Sequence, residues 1–122
     1  MELPIIIHGY DYVFPYPWIV DGAKDPRNPK HAEKNEWLGE PLDERRIYDQ
    51  ELRRNILILL IDQLYAMFGE LISKPANSNV HIVDCRGAMP EVSMWADEIH
   101  GTSKGFKKVA SRFKQTLDRT II

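Results

Sequence analysis

The sequence predicts a single α/β domain over residues 1–122, built on a short parallel sheet with flanking helices. Three observations carry that expectation. Ile5, Ile6 and Ile7 form a continuous β-branched run, and residues 79–85 hold a second apolar run around Val80, Ile82 and Cys85. Continuous apolar strands, without alternation, belong to sheets covered on both faces, as parallel sheets are. A long helical pattern occupies residues 43–73 between the strands, and a second helical pattern follows Thr102.

Composition narrows the function classes. The length suits one domain, and the net charge of −2 gives no basic footprint for nucleic acid. One cysteine excludes an internal disulfide and fits a reducing compartment. The opening Met-Glu-Leu-Pro-Ile-Ile-Ile-His lacks the basic leader of a signal peptide. No apolar run reads as long enough to span a bilayer. These points lead to the expectation of a cytoplasmic chain with no nucleic-acid and no membrane partner.

The first strand ends at His8 and Gly9. From residue 10 to 41 no period holds, and five prolines interrupt the chain. The first part is aromatic, with Tyr10, Tyr12, Phe14, Tyr16 and Trp18; residues 25–36 are charged and polar. An irregular segment of this length usually shapes a site or is disordered. The aromatics either fill a satellite core beneath it or line a substrate lid. In residues 43–73, Asp43 or Asp49 caps the start. Leu52, Ile56, Leu60 and Leu64 share one face; Leu57, Ile61, Tyr65, Phe68 and Ile72 share the next. Residues 56–61 are apolar all round, which demands cover from several sides, by a sheet or by a partner subunit. Arg45, Arg46, Arg53 and Arg54 read as a solvated face paired with neighbouring acids.

A turn at residues 75–79 leads into the second strand, with Asp84 near its carboxyl end, where open α/β sheets carry chemistry. Residues 86–97 form a loop with Trp95 packed beneath. Thr102 or Ser103 caps the last helix, whose apolar stripe is Phe106, Val109 or Ala110, Phe113 and Leu117. Gly105 lets that helix approach another segment closely.

The chemistry concentrates in W-A-D-E-I-H-G-T-S-K-G-F, residues 95–106. An aspartate three residues before a histidine can fix one imidazole tautomer and stabilise its cation, which makes a general base. The four histidines are scattered, and neither a zinc-ligand cluster nor a phosphate-cradling glycine loop is present in the sequence. No cofactor and no metal are expected.

The stretch from Asp97 to Phe106 resembles the last conserved block of the Ser-Gly-Asn-His (GDSL-type) hydrolases, Asp-x-x-His followed by Gly and an aromatic and then a helix. Gly101 stands where that family usually has proline. The resemblance implies a partial flavodoxin-like three-layer fold. It makes His100 the general base and Asp97 its orienting acid, with a small ester as substrate. His8-Gly9-Tyr10-Asp11, directly after the first strand, is similar to the family's Gly-x-Asn-Asp block, with Tyr10 in place of the oxyanion-binding Asn. The family's Gly-Asp-Ser nucleophile block has no counterpart here. Two parallel strands leave open edges and apolar faces. The chain is therefore expected to complete its sheet by self-association, as a dimer, or by pairing with a separate N-terminal half. The rival expectation is a catalytically inactive, truncated homo-oligomer.

Overall fold

A computed structural model describes residues 3–27 and 37–121. Most of the polar stretch expected over residues 25–36 lies outside the described residues. The chain forms a small α/β domain with elements in the order β1 (Ile5–His8), α1 (Gly39–Glu44), α2 (Gln50–Ile72), β2 (Val80–Val83) and α3 (Ser103–Ile121). β1 and β2 pair in parallel, with Ile5 beside Val80 and His8 beside Val83. They make a two-stranded sheet flanked by helices.

The strands are not covered as the sequence suggested. Ile5 is half exposed, Ile6 and Ile7 are only partly buried, and full burial is reached at Val83 alone. A continuous β-branched run fits a two-faced core, but a sheet of two strands has too little around it to provide one.

The helix expected over residues 43–73 starts late. Residues 39–44 form the short α1, and Arg46 takes a positive φ of 57° at the break. Asp49 then caps α2, its side chain accepting from the Leu52 amide at 2.8 Å. The inward face of α2 is the second of the two expected faces. Ile61 and Tyr65 are buried, with Leu57 and Phe68 packed beside them. The outward face is bare: Leu52, Leu59, Leu60, Met67 and Leu71 are all exposed. The all-round cover expected for residues 56–61 is absent within one chain.

Two expectations about α2 need correction. Arg53 and Arg54 are not a solvated face. Arg53 is buried and donates to the Ile47 carbonyl at 2.5 Å and to Asp43. Arg54 lies 3.8 Å above the Phe14 ring. Helix α2 is also long and apolar enough to cross a membrane, with a mean hydropathy of 1.5 over an 18-residue window. Asp62 and Glu70 interrupt the apolar run, so no uninterrupted stretch is long, yet the mean over the window stays high. Its inward face is nonetheless committed to this domain through Ile61 and Tyr65.

Helix α3 packs through half of its expected apolar stripe: Val109 lies against the core and the Phe113 ring is 5.3 Å from that of His8 on β1. Gly105 and Thr116 are buried, and Arg112 donates to the carbonyls of Asp84 and Arg86 at 3.1 Å each. Phe106 and Leu117 are exposed. Thr102 is the N-cap, its hydroxyl accepting from the Gly105 amide at 3.1 Å.

Among the described glycines, Gly105 has the closest neighbours. A Cβ there would fall 2.2 Å from the Met94 carbonyl oxygen and 2.6 Å from the Met89 sulfur. Gly69, in the last turn of α2, has nothing within 4 Å of the same position. Alanine at a helical glycine gains up to about 1 kcal/mol from backbone entropy, whereas forced overpacking costs about 1–3 kcal/mol. Gly69→Ala should therefore raise stability to urea and Gly105→Ala should lower it. Equal effects of the two substitutions would show that the helix start does not press on Met94.

Candidate functional site

Asp97 and His100 meet in a tight turn. The Ala96 amide donates to the His100 carbonyl at 2.8 Å, and Trp95 bridges Gly101. Trp95 anchors the turn from below. It is almost fully buried, its indole N–H donates to the Met89 carbonyl at 3.1 Å, and its ring stands edge-on to Phe14 at 6.4 Å. Within the turn, one Asp97 carboxylate oxygen accepts the amides of Ile99 at 2.9 Å and His100 at 2.7 Å. Short acidic side chains make such bonds to the backbone just ahead of them.

Both Asp97 oxygens also reach the His100 ring, at 3.1 and 3.0 Å from Nδ1. The aspartate side chain is 9% exposed and the histidine side chain 57%. A buried carboxylate thus grips one ring nitrogen while most of the ring faces outward. Burial alone would raise the Asp97 carboxyl, but the amides of Ile99 and His100 and the imidazole outweigh it and hold the carboxyl below its ordinary value.

Tyr10 follows Gly9 at the carboxyl end of β1 and is 55% exposed. Among the described residues no hydrogen bond joins it to Asp97 or His100. The loops after the two strands are nonetheless knitted together. Asp11, buried, accepts from Gly87 at 2.5 Å and Met89 at 2.6 Å. Glu98, also buried, accepts from the amides of Tyr16, Leu38 and Gly39 at 3.0, 3.2 and 2.9 Å. Asp25 accepts from Trp18 at 2.7 Å and pairs with the buried Arg27 guanidinium at 2.6 Å. Asp25 is held below its ordinary value because the Arg27 side chain and two amides overcome the opposing effect of burial.

Sequence reasoning missed the roles of Glu98 and Asp11, and it missed Trp37. The Trp37 ring stands edge-on to His100, with centroids 5.9 Å apart. An acid next to a loop rich in glycine, proline and aromatics was the available signal, since such loops carry amides with no ladder to join.

Other candidates for chemistry are occupied structurally. Asp84, at the end of β2, binds Arg86 at 2.7 Å, and that side chain holds its carboxyl below the ordinary value. Arg86 also pairs with Asp62 and lies 4.3 Å over the Tyr65 ring. Cys85 is buried, and burial pushes its thiol up, away from the thiolate a nucleophile needs. No hydroxyl of Ser73, Ser78, Ser93, Ser103 or Ser111 bonds to His100 among the described residues. No three His, Cys, Asp or Glu side chains cluster as a metal site among them.

The depressed Asp97 carboxyl fixes a pH dependence. A group whose folded value lies below its unfolded value stabilises the fold above the unfolded value, about 3.9 for aspartate. That contribution fades as pH falls through the folded value. Urea titrations should show wild type losing stability below about pH 4 more steeply than Asp97→Asn, with the slope from Asp25 common to both. Parallel curves would mean that the carboxylate is no better held in the turn than in the unfolded chain. Comparison with protein-family models, with curated proteins and with solved structures gives no match, so the geometry of the turn is what a functional reading rests on.

Proposed function

We propose that this chain supplies the acid–base dyad of a serine ester hydrolase of the Ser-Gly-Asn-His type, acting by acyl transfer on a small ester. One observation carries the proposal: the buried Asp97 carboxylate grips His100 Nδ1 at 3.0 Å while the ring itself is more than half exposed. Such an aspartate sets the tautomer that leaves Nε2 unprotonated and able to accept a proton.

The steps follow from that tautomer. A serine hydroxyl gives its proton to His100 Nε2 as its oxygen bonds to the ester carbonyl carbon. Asp97 stabilises the imidazolium. The tetrahedral intermediate collapses, the C–O bond to the alcohol breaks, and the alcohol leaves with the proton from Nε2. Water then loses a proton to the same nitrogen, attacks the acyl-serine, and frees the acid and the serine. Backbone N–H groups or the Tyr10 hydroxyl would steady the oxyanion. The nucleophile comes from a second copy of the chain or from a separate half, docked at the free β1 edge to complete a flavodoxin-like sheet.

A second reading is a catalytically inactive, homo-oligomeric remnant of such a hydrolase. The bare face of α2, with Leu59 59% and Leu60 54% exposed, favours it. Covering the exposed half of each leucine contributes about 1 kcal/mol, against an association cost of about 4–15 kcal/mol, so a dimer would draw on the whole bare face.

Two measurements separate these readings. Turnover of a small acetyl ester by the purified chain should disappear in His100→Ala and fall roughly 10³–10⁴-fold in Asp97→Asn. Activity indifferent to His100 would sink the hydrolase proposal. Sedimentation at low micromolar concentration should show a dimer that Leu59→Glu with Leu60→Glu dissociates. A wild-type monomer would remove the oligomeric part of both readings.

A further inference from the structure

We infer that Glu98 is a positioning residue for this site: it holds the backbone after Trp37 so that the indole stands edge-on to His100 and walls the space over the imidazole. The catalytic meaning of this inference rests on the hydrolase reading; its geometry does not.

Glu98 is 2% exposed. One of its carboxylate oxygens accepts the Leu38 amide at 3.2 Å; the other accepts Gly39 at 2.9 Å and Tyr16 at 3.0 Å. Leu38 is the N-cap of α1 and makes no side-chain cap. The first amides of a helix lack partners within it, and here Glu98 serves them from across the fold. Trp37 is the residue immediately before, with its ring 5.9 Å from His100 at 77°. It also opens a groove of about 340 Å³ running on past Leu38, Pro41, Leu42 and Leu57. Asp97 and Glu98 are consecutive, so one turn fixes both the base and its wall.

A carboxylate suits this place because it has only acceptors, and three donors converge on it. Glutamine would aim its own N–H₂ at one of those amides. Glu98→Gln should therefore loosen Trp37 without removing any bond of the Asp97–His100 pair.

The test reads Trp37 fluorescence, because a protonated imidazole in ring contact quenches indole emission. Emission attributable to Trp37 is the difference between wild type and Trp37→Phe. It should fall as the solution is acidified and the imidazole is protonated. The fall should vanish in His100→Ala and shrink by roughly half or more in Glu98→Gln checked as folded by circular dichroism. An unchanged fall in folded Glu98→Gln would overturn the inference. Should that variant fail to fold, wild-type hydrogen exchange decides. Leu38 and Gly39 amides exchanging as slowly as those of Tyr65 and its neighbours support the clamp, and fast exchange overturns it. Ester kinetics test the site separately. A wall that binds substrate and transition state alike gives Glu98→Gln a KM raised about tenfold with kcat within about twofold. If His100→Ala keeps full turnover, the hydrolase reading falls while the fluorescence result still decides the clamp.

Discussion

Irregular backbone must find partners for its buried amides, and here four buried acids provide them. Asp11, Asp25, Asp97 and Glu98 are each less than a tenth exposed, and each accepts at least two backbone N–H groups. An orphaned buried amide costs about 1–3 kcal/mol, and a bond to a charged acceptor contributes about 1.5–3 kcal/mol. With only two short strands, few loop amides can join a ladder. The acids take over that function, and they turn two proline- and glycine-broken loops into a fixed surface at the carboxyl end of the sheet.

Local chemistry was what the sequence made legible. The parallel pairing, the cap at Asp49, the glycine contact at Gly105 and the closeness of Asp97 to His100 all follow from short-range patterns. What escaped was long-range. Glu98 reaches amides about sixty and 82 positions away, and its place beside an irregular loop says nothing of which amides those are. Arg53 and Arg54 looked like surface charges because arginine usually is one; their burial depends on Phe14 and Ile47 folding back over them. The stripe on α3 was legible at its middle, where Val109 and Phe113 pack inward, but Gly105 and Thr116 turn the buried face so that Phe106 and Leu117 stay outside.

The exposed apolar surface and the site are two sides of one incompleteness. Buried apolar side chains concentrate where the loops meet the sheet: Val13, Phe14, Trp18, Met89, Met94 and Trp95, with Ile61 and Tyr65 from α2. The far side of α2 and the free edge of β1 contribute nothing to that cluster. A two-stranded sheet is marginal alone, so the loop cluster supplies most of the cohesion around the Asp97–His100 turn. The region with the most regular hydrophobic pattern is thus the least covered, and the region without a pattern is the best packed.

The consecutive acids Asp97 and Glu98 show why His100 can be held although its ring is exposed. An exposed histidine normally samples several rotamers, and a carboxylate that moved with it would not fix its tautomer. Asp97 cannot move with it, because the amides of Ile99 and His100 hold one of its oxygens inside the turn. The turn cannot move either: Glu98 ties its next residue to Tyr16, Leu38 and Gly39, and Trp95 plugs it from beneath. Orientation of His100 is therefore inherited from buried backbone bonds rather than from contacts of the ring itself. The ring can remain open to its surroundings without losing its direction.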